Sequence, residues 1–101
     1  MKVNSLDEAK KIISMYKANL VKNYGVSKIG IFGSFVFNDF SPKSDIDILI
    51  DLSKKSNLGY FSLVRMENEL SDKLGRKVDL VTKNSLKSYI KDDILKSVIY
   101  V

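Results

Sequence analysis

The chain contains no cysteine and no histidine, which excludes disulfides, thiolate metal sites, imidazole ligands and every histidine-based proton relay. Any metal must be held by oxygen. One proline and five glycines exclude a collagen-like or low-complexity chain. No segment approaches the roughly 20 consecutive apolar residues of a membrane-spanning helix. The start, MKVNSLDEAKKIISMYK, lacks the unbroken apolar stretch of a secretory signal. A cytoplasmic protein with no membrane partner is therefore expected. What is present is the composition of a folded protein, 45% hydrophobic and 29% charged over 101 residues. That is enough for one domain spanning residues 1–101 and too little for two. The net charge of +5 comes mainly from lysines scattered along the chain. They suit attraction to nucleotide phosphates or nucleic acid, and equally an ordinary solvated surface.

The order of elements follows from spacing. Ser5-Leu6-Asp7-Glu8 has the form of a capping box, and Leu6, Ala9, Ile13, Tyr16 and Leu20 recur every three or four residues. A helix to about Tyr24 is predicted, with Gly25 as its left-handed end. Ser27 to Phe32 reads as a short buried strand, Phe35 to Phe40 as a helical turn and Ser41 to Ser44, with Pro42, as a loop. From Asp45 to Leu52, Ile46, Ile48, Ile50 and Leu52 alternate with Asp45, Asp47, Leu49 and Asp51, the pattern of a strand. Ser53 to Asn57 is a polar link. Leu58 to Leu74 forms an amphipathic helix carrying Leu63, Met66, Leu70 and Leu74 on one side, stopped by Gly75. Arg76 to Thr82 is a third strand, with Val78 and Leu80 facing one way and Asp79 the other. A last helical stretch, capped by Asn84 or Ser85 and broken at Asp92-Asp93, places Leu86, Ile90, Ile94 and Val98 on one face.

Three strand acids, Asp45, Asp47 and Asp79, stand out because aspartate competes for backbone hydrogen bonds and is disfavoured in strands. Each alone reads as a solvent-facing residue on a polar sheet face. Asp45 and Asp47 differ from that background, since a side-chain period of two puts both on one face, where they repel unless a cation lies between them. Oxygen ligands of this kind suit magnesium or manganese. Gly33 lets backbone approach a ligand closely and Ser34 adds a hydroxyl where a helical turn presents amides to an anion. Eleven residues separate Ser34 from Asp45, enough to turn and return on an antiparallel strand, which would bring a phosphate cradle and a metal site to one sheet edge.

The stretch IGIFGSFVFNDFSPKSDIDILIDL, together with the ending LGRKVDLVTKNSLKSYIKDDILKSVIYV, resembles the signature of the DNA polymerase β-type nucleotidyltransferase superfamily and its minimal, MNT-type members. The resemblance spans roughly Val26 to Val101. It implies an α+β nucleotidyltransferase fold, a small mixed β-sheet carrying the acids with helices packed on it. It further implies that Asp45 and Asp47 hold two magnesium ions, with manganese as a substitute, and that Asp79 is the third carboxylate, a metal ligand or a proton acceptor. Gly33, Ser34 and Ser44 would receive the tail of ATP or another nucleoside triphosphate. One departure stands out. Relatives commonly follow Gly-Ser-aromatic with Ala-Arg-Gly, where this chain has Val36, Phe37 and Asn38. Without that arginine, and unless Lys43 or a partner replaces it, the triphosphate forgoes a charge-assisted contact worth about 1.5–3 kcal/mol.

The activity implied is transfer of a nucleoside monophosphate, AMP from ATP, to a hydroxyl with pyrophosphate leaving. Members of this size commonly accompany a helical HEPN-type protein and act as its antitoxin by adenylylating it. Two alternatives stand beside this: a non-catalytic module that neutralises the partner by occlusion, and transfer to a nucleic acid or small molecule, with direct nucleic-acid binding left open. Of the aromatics flanking the acidic strand, Phe35, Phe37, Phe40, Tyr60 and Phe61, most are expected in the core, with Phe37 and Phe40 the exceptions free to stack on a base or face a partner.

Overall fold

The computed structural model describes residues 2–54, 56 and 58–101. Helix α1 (Leu6–Tyr24) begins at Ser5, whose hydroxyl accepts from the Glu8 amide at 3.1 Å. The Glu8 carboxylate reaches back to the amide of Asn4, one residue ahead of the usual partner. Gly25 closes the helix at φ 71°. Strand β1 (Val26–Phe32) pairs antiparallel with β2 (Ile46–Leu52), after a 3₁₀ turn at Gly33–Phe35. Helix α2 (Tyr60–Leu74) then carries the chain back so that β3 (Val78–Thr82) lies parallel to β2. A second 3₁₀ turn (Lys83–Ser85) and helix α3 (Ser88–Ser97) lead to β4 (Ile99–Tyr100), antiparallel to β1. The mixed sheet has the order β3-β2-β1-β4.

One sheet face carries the core. Ile29 and Ile31 of β1, Ile46, Ile48 and Ile50 of β2 and Val78 of β3 pack with Ala9, Ile13 and Leu20 of α1 and Met66, Leu70 and Leu74 of α2. The alternate residues of β2, among them Asp47 and Asp51, therefore point to the other face. Leu49 is the apolar exception there, and it is buried outside that main cluster. It pairs with Gly30, where an added Cβ would meet Val98 at 2.7 Å, so the chain just after α3 covers this part of the second face. Among the described residues no helix is long and apolar enough to cross a membrane.

The C-terminal region departs from the sequence reading in three places. Ser85 donates its hydroxyl to the Thr82 carbonyl at 2.8 Å and so closes the 3₁₀ turn instead of capping a helix. Leu86 is consequently extended, and α3 starts at Ser88 without a side-chain cap. No break occurs at Asp92-Asp93; both acids are exposed within a continuous α3, where they cost the helix little. Strand β4 was not expected, because two residues carry no period. Of the polar link between β2 and α2, Lys55 and Asn57 lie outside the described residues. Tyr60 and Phe61 are 73% and 82% exposed rather than in the core, since they precede Leu63, the first residue of α2 that packs inward.

Candidate active site at the acidic edge of the sheet

The register of the strands assembles the edge. Asp47 is paired with Phe32 of β1 on one side and with Asp79 of β3 on the other. Gly33 therefore lies one step past Phe32, beside the Asp47 carboxylate, and a Cβ on Gly33 would overlap that group. With φ 76°, Gly33 also occupies the left-handed region that glycine alone enters freely. Of the residues singled out in the sequence, Gly33 lies beside the Asp47 carboxylate and Asp79 lies opposite Asp47.

Electrostatics follow from the crowding. Asp47 is half-buried, and its carboxyl is raised to about 6, first by burial and then by the charges of Asp79 and Asp45. Asp45 and Asp79 are exposed. Among the described residues one ion pair forms, Lys83 with Asp51 at 4.0 Å, and no cation is paired with Asp45, Asp47 or Asp79. Oxygen donors that repel one another and lack a basic partner are a set that a hard divalent ion would satisfy. Their side chains do not converge on one point: no group of three acids among the described residues is arranged to hold a metal. Asp45 and Asp79 are exposed, and the donor chemistry of the three acids fits such an ion.

At the turn, the Val36 amide bonds back to the Gly33 carbonyl at 3.1 Å. Ser44 is placed differently from Ser34. Its hydroxyl accepts from the Ser41 amide at 2.8 Å and closes the loop before Asp45. Asn38 takes φ 56°, the left-handed conformation that a glycine would supply, so the departure from Gly at that position preserves the backbone path. Phe37, at the position of the missing arginine, is 67% exposed. Phe40 is not free in the same way: it stacks on the buried Phe35 with centroids 4.0 Å apart.

One residue at this edge went unrecognised in the sequence. Arg76 is 6% exposed and bonds the carbonyls of Ser41 and Ser44. A basic residue between a helix-ending glycine and a strand reads as solvated, and nothing in the spacing marks it as buried.

The sequence pattern of the nucleotidyltransferase domain family matches residues 13–101. The chain belongs to this family. Among its nucleotidyltransferase relatives, protein adenylyltransferase MntA of Thermococcus cleftensis is 40% identical over 101 residues, covering the whole of both chains. A Methanocaldococcus jannaschii chain provisionally named a protein adenylyltransferase is 43% identical, over 98% of this chain and 100% of its own. The fold is that of solved minimal nucleotidyltransferases. A chain of a toxin-antitoxin complex crystallised with AMP-PNP superposes with a TM-score of 0.72 at 23% identity, over 91% of this chain and 70% of the other. A chain of the Shewanella oneidensis tri-AMPylated HEPN toxin in complex with MNT antitoxin superposes at 0.63 and 22% identity, over 91% and 66%. The nucleotidyltransferase sheet carries Asp45 and Asp79 as exposed acids and Asp47 as a half-buried one. A hollow of about 410 Å³, lined by Tyr16, Tyr24, Glu69 and Lys73 among others, involves none of them.

Proposed function

We propose that the chain, acting as one domain over residues 1–101, is a protein adenylyltransferase that moves AMP from ATP to a hydroxyl of a HEPN-type partner and thereby serves as its antitoxin. The observation that carries this reading is the pairing of Asp47 with Asp79 beside Gly33. It is supported by the 40% identity to a named protein adenylyltransferase over the full chain. Asp45, Asp47 and Asp79 would hold the divalent ions, magnesium by their oxygen chemistry with manganese as a substitute, and Gly33, Ser34 and Ser44 would receive the triphosphate. Bound there, two ions supply charge stabilisation for an in-line displacement at phosphorus.

The chain's own contribution is placement. The turn at Gly33 brings backbone close to the phosphates, and the Ser34 hydroxyl would donate to them. The bond from the partner's hydroxyl oxygen to the α-phosphorus forms as the bond to the β-phosphate oxygen breaks, and the electron pair leaves with pyrophosphate. Asp79 is exposed at the rim, where it can accept the hydroxyl proton if the partner presents that oxygen within hydrogen-bond reach.

A second reading, neutralisation by occlusion without transfer, is favoured by one observation, the replacement of the expected arginine by Phe37. Labelled ATP, magnesium and a HEPN-type partner distinguish them. The first reading expects label on the partner, lost when Asp45 and Asp47 are both changed to asparagine. Neutralisation of the partner without label supports the second, and label that survives the double change removes the proposed site.

A further inference from the structure

Arg76 is the one charged side chain among the buried residues, and it has no carboxylate partner among the described residues. Burying a cation is costly unless its donors are all met. Here Nε donates to the Val3 carbonyl at 2.6 Å, Nη1 lies 2.9, 3.3 and 3.1 Å from the carbonyls of Ser41, Pro42 and Ser44, and Nη2 reaches the Asn4 side chain at 3.4 Å. The guanidinium also lies 5.0 Å from the Phe35 ring centroid and 5.5 Å from that of Phe40.

These contacts join segments that share one property. Ser41 to Ser44 is the loop that delivers Asp45 and Asp47. Phe35 follows Gly33-Ser34 directly. Arg76 itself stands three residues before Asp79, and the adjacent Lys77 carbonyl takes the Ile46 amide at 2.9 Å. A fork of donors is suited to gather several carbonyls at once, which the single ammonium of lysine cannot do with the same geometry.

We infer that Arg76 is a positioning residue for the transfer: through the 41–44 loop and the Phe35–Phe40 stack it sets the mutual placement of Ser34, Asp45, Asp47 and Asp79. The inference rests on the proposed site, but not on the identity of the acceptor.

The test uses full-length Arg76→Lys, with three measurements. Amide hydrogen exchange of the metal-free protein should accelerate about tenfold or more in residues 41–45 while the α1 and α2 amides keep their wild-type rates. A residue that served only general stability would instead shift all slowly exchanging amides together. Binding of manganese with AMP-PNP should weaken about tenfold. In transfer assays kcat should fall about a hundredfold with the KM for the partner little changed, because the partner surface is not what Arg76 orders. If Arg76→Lys does not fold, Phe40→Leu, at a partly exposed position, carries the same measurements with smaller effects. Uniform exchange changes, or wild-type nucleotide binding by the folded variant, would overturn the inference. If wild-type protein transfers nothing yet binds nucleotide, the adenylyltransferase reading fails and the exchange and binding measurements still decide the role of Arg76.

Discussion

Asp47 and Asp79 face each other across the parallel pair β2·β3, like charges held opposite with Asp45 one strand-step away. Such a pairing is unfavourable in a sheet unless something offsets it. The Asp47 carboxyl, raised from 3.8 to about 6 by burial, Asp79 and Asp45, registers that cost. A carboxyl whose folded value lies above its unfolded one stabilises the fold while protonated. Its contribution is complete below the unfolded value and is lost as pH rises through the folded value.

The first prediction follows from that sign. In metal-free protein, wild type should lose stability relative to Asp47→Asn as pH rises from about 4 to above 6, by about 1 kcal/mol once solvent screening of a half-exposed group is allowed for. In Tm this is a gap of about 4–8 °C opening across that window. Magnesium added above pH 6 should narrow the gap. Melting curves at several pH values check it, and a gap that stays constant with pH would mean that neither burial nor the neighbouring acids raise the Asp47 carboxyl.

Gly33→Ala tests the close approach. An alanine at φ 76° is strained by about 1–2 kcal/mol, and its Cβ must displace the Asp47 carboxylate. Tm should fall and binding of magnesium with AMP-PNP should be lost. Gly59→Ala is the control, because that glycine has φ −85° and open space around it. It should bind as wild type and melt no lower. Equal behaviour of the two variants would remove the role given to Gly33.

The aspartates were legible in the sequence because β2 alternates strictly, so Asp45 and Asp47 could be put on one face without knowing the fold. The antiparallel return from Gly33-Ser34 followed from loop length. The opposition of Asp47 and Asp79 was less accessible, since it depends on β3 joining β2 in parallel and in one register, which α2 determines by its length and packing. Arg76 was invisible for a different reason: its partners are carbonyls, and backbone carbonyls leave no trace in composition. The two-residue β4 carries too little pattern to be read, and its place depends on Gly30 admitting Val98.

Phe37→Arg should restore a contact that this chain lacks. The position is exposed and its neighbour Asn38 keeps the left-handed turn, so an arginine there can extend without disturbing the core. A charge-assisted bond to the triphosphate should tighten ATP-analogue binding by about tenfold, near the lower end of the about 1.5–3 kcal/mol such contacts contribute. Calorimetry with AMP-PNP checks this. Unchanged affinity would indicate that the triphosphate passes elsewhere, and weakened affinity that Phe37 itself contacts the nucleotide.

The last prediction uses Asp79 to separate transfer from occlusion. Asp79 is exposed at the rim, while Asp45, Asp47 and the Gly33 turn lie on the neighbouring strands β1 and β2 and the segment between them. Asp79→Asn should therefore leave AMP-PNP binding within a few-fold of wild type. If Asp79 takes the hydroxyl proton, or holds the ion next to that oxygen, transfer of label to the partner should drop by about a hundredfold or more. Partner association should survive, since one amide in place of a carboxylate alters little of an interface. Partner activity is then measured with wild-type and variant protein, each with and without ATP. The adenylyltransferase reading expects ATP-dependent neutralisation by wild type and little by Asp79→Asn. Neutralisation by both proteins, independent of ATP, would reject transfer as the mechanism and leave occlusion as the activity of this surface.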